Sequence, residues 1–228
     1  MRYLSTRGEA PILEFEDVLL AGLASDGGLY VPEIYPLLSS AEIADLSGAS
    51  YQDIALAVMR PFIGDALDEG DLKSMIAEAY ARFRHPAVTP LMQSAGNEWI
   101  LELHHGPTLA FKDVAMQLVA RLMDHALERR DERATVVCAT SGDTGGAAVA
   151  AFAGRQRADL FVLLPKGRVS DVQRRMMTTS DAANIHALEI DGTFDDCQSL
   201  VKAMFNDQAL RQRLALSGVN SINWARVM

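Results

Sequence analysis

Apolar residues change their spacing partway along this chain. Before residue 90 they recur mostly at helical intervals. Residues 50–63 (SYQDIALAVMRPFI) keep that interval up to Pro61, whose missing N–H predicts a helix end or a kink. Residues 67–83 again set acids against apolar side chains at helical spacing. Ahead of them, Phe15, Val18, Leu19 and Leu20 lead into the turn Ser25-Asp26-Gly27-Gly28 and the short apolar piece Leu29-Tyr30-Val31 before Pro32. Residues 1–90 therefore read as a mostly helical, loop-rich segment.

From Trp99 onward, apolar runs alternate with amphipathic stretches. WILELHH (99–105), ATVVCAT (134–140), LFVLLP (160–165) and NIHALEI (184–190) read as strands. Residues 111–132, 146–154, 169–180 and 194–207 read as helices, and NSINWARVM (220–228) begins another. Near-continuous apolar strands separated by helices predict a parallel sheet with helices on both faces, an α/β region over 91–228. In such sheets ligands bind beyond the carboxyl ends of the strands. That rule singles out the loops 104–112 and 140–146.

Charge and composition narrow the function. Thirty acids against 21 bases give a net charge of −9, which disfavours phosphate backbones and hence nucleic-acid partners. No stretch approaches the ~20 apolar residues of a membrane span, and no secretory leader is visible, so a cytoplasmic protein is expected. Cys138 and Cys197 lie far apart with no CxxC pair, which fits a reducing compartment and excludes a zinc ribbon.

Lys112 follows a Gly-Pro turn at a strand-to-helix junction, between Phe111 and Asp113. It reads either as a nucleophilic amine or as a surface lysine near a helix start. A cation there opposes the helix dipole, so the position asks for a reason. Residues 140–146 (TSGDTGG) join a strand to a helix. Their N–H groups and hydroxyls suit an anion, or the loop is a tight turn capped by Ser141 or Asp143. The glycine spacing matches neither a Walker A loop nor GxGxxG. Lys166 and Arg168 end another strand and could meet a phosphate or simply be solvated. His104 and His105 would point to opposite faces of a strand and so would not readily share a metal; no metal site is expected. Asn220, Ser221, Asn223 and Arg226 form a polar cluster, in which Arg226 could grip an oxyanion.

Taken in order, several blocks resemble the threonine synthases, pyridoxal-phosphate enzymes of fold type II. They are Tyr3-Leu4-Ser5-Thr6-Arg7-Gly8, Gly22-Leu23-Ala24, Asp26-Gly27-Gly28-Leu29-Tyr30-Val31-Pro32, HGPTLAFKD (105–113), TSGDTGG (140–146), IDGTFDDCQ (190–198), and NSIN (220–223) with Arg226. The resemblance implies a tryptophan synthase β-like fold whose larger domain is incomplete here. Residues 1–90 would be the family's N-terminal segment, and 91–228 would hold the Lys112 loop and the smaller βαβ domain.

It also implies that Lys112 carries pyridoxal phosphate through its amine and acts as a base, with Phe111 beside it. Asp143 would face the cofactor's 3′ oxygen, where a proton must be shared between them. Ser141, Gly142, Asp143, Thr144 and Arg226 would bind the substrate. That substrate would be O-phospho-L-homoserine, converted to L-threonine and phosphate by a monomer or homodimer. The family's C-terminal half brings a glycine-rich cup for the cofactor phosphate, and no second glycine-rich loop follows Gly146 here. Exposed apolar surface is expected where that half would lie. Two other readings stay open: a different type II lyase or synthase, and a truncated ligand-binding remnant without turnover.

Overall fold

The computed structural model describes residues 1–218 and 224–228. The chain divides into two units. The first takes Met1–Gly106 and the described tail from Trp224; the second takes the stretch from Pro107.

In the first unit, β1 (Arg2–Ser5) buries Tyr3 and Ser5 while its other residues stay more open, the two-residue period of a strand. It pairs antiparallel with β2 (Leu13–Glu14) on one side and β3 (Tyr30–Pro32) on the other. The turn before β3 is tied down by Asp26. Its carboxylate accepts hydrogen bonds from the Ser5 hydroxyl and from the N–H groups of Glu9, Ala10 and Gly28. Helix α1 (Phe15–Ala21) buries Phe15, Val18 and Leu19, and α2 (Ser40–Asp45) opens on a Ser39–Glu42 capping box.

Helix α3 (Tyr51–Ile63) starts on a Ser50 cap and runs through Pro61. The expected break at Pro61 falls instead at Gly64, whose φ of +62° ends the helix. Near the last turn Pro61 forfeits a single N–H bond, which the helix tolerates. Helix α4 (Glu69–Tyr80) buries Leu72, Met75, Ile76, Ala79 and Tyr80 at three- and four-residue steps.

One expectation needs correction in this unit. Beside their helices the first ninety residues hold a three-stranded antiparallel sheet, which the spacing did not predict. The run at 99–105 is not a strand of the parallel sheet. Its first part is β5 (Glu98–Leu101), which pairs antiparallel with β4 (Leu91–Ala95) as a hairpin turned at Gly96. The hairpin leaves Leu91, Met92, Trp99, Ile100 and Leu101 each more than half exposed.

The second unit begins with α5 (Asp113–Arg129), followed by β6 (Ala134–Ala139), α6 (Asp143–Phe152), β7 (Ala158–Pro165), α7 (Asp171–Thr178), β8 (Ile185–Ile190), α8 (Phe194–Asn206), α9 (Gln208–Arg213) and β9 (Leu216–Gly218). The four strands form one parallel sheet in the order β8-β7-β6-β9. Helices cover both faces, as the pattern predicts. Val162 points toward Gly145 of α6, while its neighbour Leu163 packs with Val137, Leu216 and Cys197 of α8. The short α9 and β9 were not expected. Helix α10 (Trp224–Val227) belongs to the first unit, where Trp224 sits among Tyr3, Tyr35 and Phe62 with ring centroids 5.7–6.3 Å apart. Among the described residues no helix is long and apolar enough to cross a membrane.

Candidate active site

Lys112 occupies the N-cap position of α5 and is half-buried. The loop before it is folded back and locked by the next residue. Asp113 is fully buried, and its carboxylate accepts both the N–H and the hydroxyl of Thr108 at 2.8 Å. The Asp113 N–H returns to the Ala110 carbonyl at 3.0 Å. Leu109 is forced to a φ of +65°, an uncommon value for a residue with a side chain. This geometry supplies the reason that a cation stands at a helix start, since the Asp113 charge in the first turn offsets the dipole. The Lys112 Nζ lies 4.1 Å from the centroid of the Phe111 ring, and Phe111 is itself exposed.

The loop 140–146 leaves the carboxyl end of β6. Neither Ser141 nor Asp143 caps α6, contrary to the simpler reading. The buried Thr140 holds the loop instead: its Oγ1 accepts the N–H groups of Gly142 and Gly145, both at 2.9 Å. Gly142 has a φ of +148°, and a Cβ there would overlap the side chain of Gln173. With those donors used, the N–H groups of Asp143 and Thr144 stand in the first turn, where a helix offers them no acceptor. Ser141 and Asp143 are exposed and Thr144 is half-buried. The Asp143 Oδ1 accepts from the Gln173 Nε2 at 2.7 Å. Lys112 and this loop both belong to the second unit, at the starts of α5 and α6, which pack on each other.

The remaining candidates are placed differently. Lys166 and Arg168 are exposed after β7. The Thr193 N–H and hydroxyl hold the Asp196 carboxyl below the usual carboxylate range against slight desolvation, and Arg168 adds to this. Arg226 lies in α10 of the first unit, half-buried. Asn220, Ser221 and Asn223 lie outside the described residues. The opposite-face expectation for His104 and His105 is not met, because the strand stops at Leu101 and alternation stops with it. Their rings stack at 4.5 Å, Glu102 bonds His105 at 2.7 Å, and one ligand-type atom from each of the three lies within 4.8 Å of the others.

Three roles in this geometry escaped the sequence reading, those of Asp113, Thr140 and Gln173 as residues that hold the loops. Only Gln173 left a usable signal, the Ser170-x-x-Gln173 pattern of a helix start.

Comparisons with known proteins cover the whole region. Residues 2–80 match the family described as threonine synthase N terminus, and residues 83–226 match the family described as pyridoxal-phosphate dependent enzyme. The chain is 56% identical over 228 residues to a threonine synthase of Pseudomonas aeruginosa, covering all of this chain and 49% of that protein. It is 43% identical to a threonine synthase of Saccharomyces cerevisiae, covering 99% of this chain and 47% of the other. A crystal structure of a threonine synthase from Brucella melitensis with PLP bound superposes with a TM-score of 0.96 at 61% identity, over 100% of this chain and 49% of that one. The chain therefore spans about half the length of the relatives it matches.

Proposed function

Because the chain belongs to the pyridoxal-phosphate dependent enzyme family, we propose that it carries that cofactor on Lys112 and forms the N-terminal half of a threonine synthase site. The reaction read for the whole site converts O-phospho-L-homoserine and water to L-threonine and phosphate. The observation that carries this is the seating of Lys112, a half-buried residue whose amine lies against the Phe111 ring and whose loop is pinned by the buried Asp113 carboxylate.

The donor set fits the cofactor. Lys112 offers an amine out of bulk water on one side, Asp143 a carboxylate, and the loop 140–146 hydroxyls and first-turn N–H groups. Bound there, pyridoxal phosphate supplies an electron sink that makes the substrate's Cα and Cβ protons removable. The Lys112 Nζ would hold the cofactor through its aldehyde and, freed by the substrate amine, would take the Cα proton and then a Cβ proton. Once phosphate has left Cγ, Lys112 would return a proton there; water would add at Cβ and Cα would regain its proton, giving threonine. The Phe111 ring shields one side of that amine from water. Ser141, Thr144 and the N–H groups of Asp143 and Thr144 hold the substrate carboxylate, with Gly142 allowing close approach. Asp143 would meet the cofactor's 3′ oxygen, with a proton shared between them. Lys166 and Arg168, both in the second unit, supply positive charge for the phosphate. We place the protein in the cytoplasm, acting on a small molecule, as a monomer or homodimer.

The test is titration of the purified chain with pyridoxal phosphate, followed by borohydride reduction and peptide mapping. The expected result is a visible absorbance band and a label on Lys112, both lost in Lys112→Ala. A label retained in that variant overturns the assignment. Phosphate release from O-phospho-L-homoserine, set against serine-like amino acids, separates this reaction from other lyases of the family.

A further inference from the structure

We propose that Gln173 is a positioning residue for Asp143, reaching across from α7 to fix which carboxylate oxygen faces the ligand. The proposal rests on the reading of Asp143 given above, and its test is chosen to fail separately.

Three observations converge on Gln173. Its own N–H donates to the Ser170 Oγ at 3.3 Å, starting α7. The Ser170 hydroxyl, so engaged as an acceptor, donates to the Gln173 Oε1 at 2.8 Å. The Gln173 Nε2 then donates to the Asp143 Oδ1 at 2.7 Å. The amide cannot profitably turn over. Reversed, it would set Oε1 against Oδ1, two acceptors at hydrogen-bond distance. Ser170 thus settles the amide, and the amide settles the carboxylate.

The seating is rigid as well as polar. Gly142 lacks the Cβ that would overlap the Gln173 side chain, so that side chain lies against the loop backbone. One turn further along α7, Met176 and the buried Met177 rest on Gly146 and Gly145 at the start of α6. Gln173 is therefore half-buried on a docked helix rather than a swinging surface group. Asp143 itself is exposed, and with Oδ1 engaged by Gln173 its Oδ2 is the oxygen left for a ligand. An exposed aspartate without such a partner samples about three staggered rotamers. Held in one, it is pre-organised, and releasing it lowers the competent population about threefold.

The test uses the full chain in two arms. Without cofactor, scalar couplings across the Asp143 Cα–Cβ bond report its rotamer by NMR. With cofactor, a visible titration gives the dissociation constant for pyridoxal phosphate. In the parent protein the couplings show a single rotamer. In Gln173→Met, of similar length but without donors, they average, and the dissociation constant rises about threefold. Gln173→Glu keeps an acceptor for Ser170 but sets like charge beside Asp143, so it also averages and weakens binding more. An unchanged rotamer in both variants overturns the positioning role, as does averaging in the parent. A rotamer change in the variants, with no label on Lys112 of the parent, upholds the positioning and overturns the cofactor reading.

Discussion

The lock on Lys112 can be broken one atom at a time. Asp113 accepts two hydrogen bonds from Thr108, each 2.8 Å, on a carboxylate with no exposed surface. A hydrogen bond to a charged group contributes roughly 1.5–3 kcal/mol. Asp113→Ala removes both, and water recovers part because Thr108 is only half-buried, leaving a loss of roughly 2–4 kcal/mol. Asp113→Asn keeps both contacts in neutral form, the amide oxygen taking the Thr108 N–H and the amide nitrogen meeting its hydroxyl. Neutral bonds are worth about 1 kcal/mol each, so the loss is about 1–2 kcal/mol. Asp113 has a further interaction elsewhere, so these figures are floors. The strain at Leu109, with a φ of +65°, is released when the lock opens and favours the opened loop.

Hydrogen exchange reads this locally. The Val114 and Met116 amides bond to the carbonyls of Phe111 and Lys112, so they report opening of the segment that carries the amine. At about 1.4 kcal/mol per tenfold, Asp113→Ala speeds their exchange roughly 30- to 1,000-fold, and Asp113→Asn roughly 5- to 30-fold. Unchanged exchange at both amides in a folded Asp113→Ala protein would refute the idea that this carboxylate holds Lys112.

Two other perturbations test the frame around the loops. Gly145→Ala sets a methyl against Met177, Thr140 and Val162, and overpacking of that kind costs about 1–3 kcal/mol. A denaturant midpoint equal to that of the parent would show that α7 and α6 are not closely packed. Asp26 is pushed upward by desolvation, but the hydrogen bonds from Gly28, Ser5, Ala10 and Glu9 together outweigh this and hold its carboxyl at about 2. Since that lies below the unfolded value near 3.9, its contribution is complete above about pH 4 and fades as the pH falls toward 2. Melting temperatures should therefore fall more steeply over that window in the parent than in Asp26→Asn.

What could be read from the chain follows the range of the signals. The β6–α6–β7–α7–β8 run was legible because its strands are continuous apolar stretches bounded by helices, and the strand-end rule then pointed at Lys112 and at 140–146. The first sheet was not, because β1 offers only four residues of alternation and its partners come from elsewhere in the chain. The apolar run at β5 was visible but ambiguous. An exposed hairpin strand and a buried parallel strand both begin with apolar residues, and only the pairing with β4 separates them. Asp113 and Gln173 were hidden for another reason. Each looks like an ordinary helix-start residue, and what matters is a partner five residues back or thirty residues away.

The two loops share a logic that the last prediction exploits: in each, a buried polar side chain holds the backbone. For the second loop that group is Thr140, which could act through its hydroxyl or through its methyl, since Cγ2 also lies against Gly145. The hydroxyl accepts two N–H groups from buried glycines. Thr140→Val keeps the shape and strands both donors, at about 1–3 kcal/mol each before relaxation. Thr140→Ser keeps the acceptor and deletes one buried methyl, costing about 1 kcal/mol. If the hydrogen bonds hold the loop, the valine variant is the less stable of the two by at least about 1 kcal/mol, and its Gly142 and Gly145 amides exchange faster. The opposite order in a denaturant titration would mean that packing of Thr140 against Gly145 sets the loop, and that the Gly142 backbone is held by Gln173 instead.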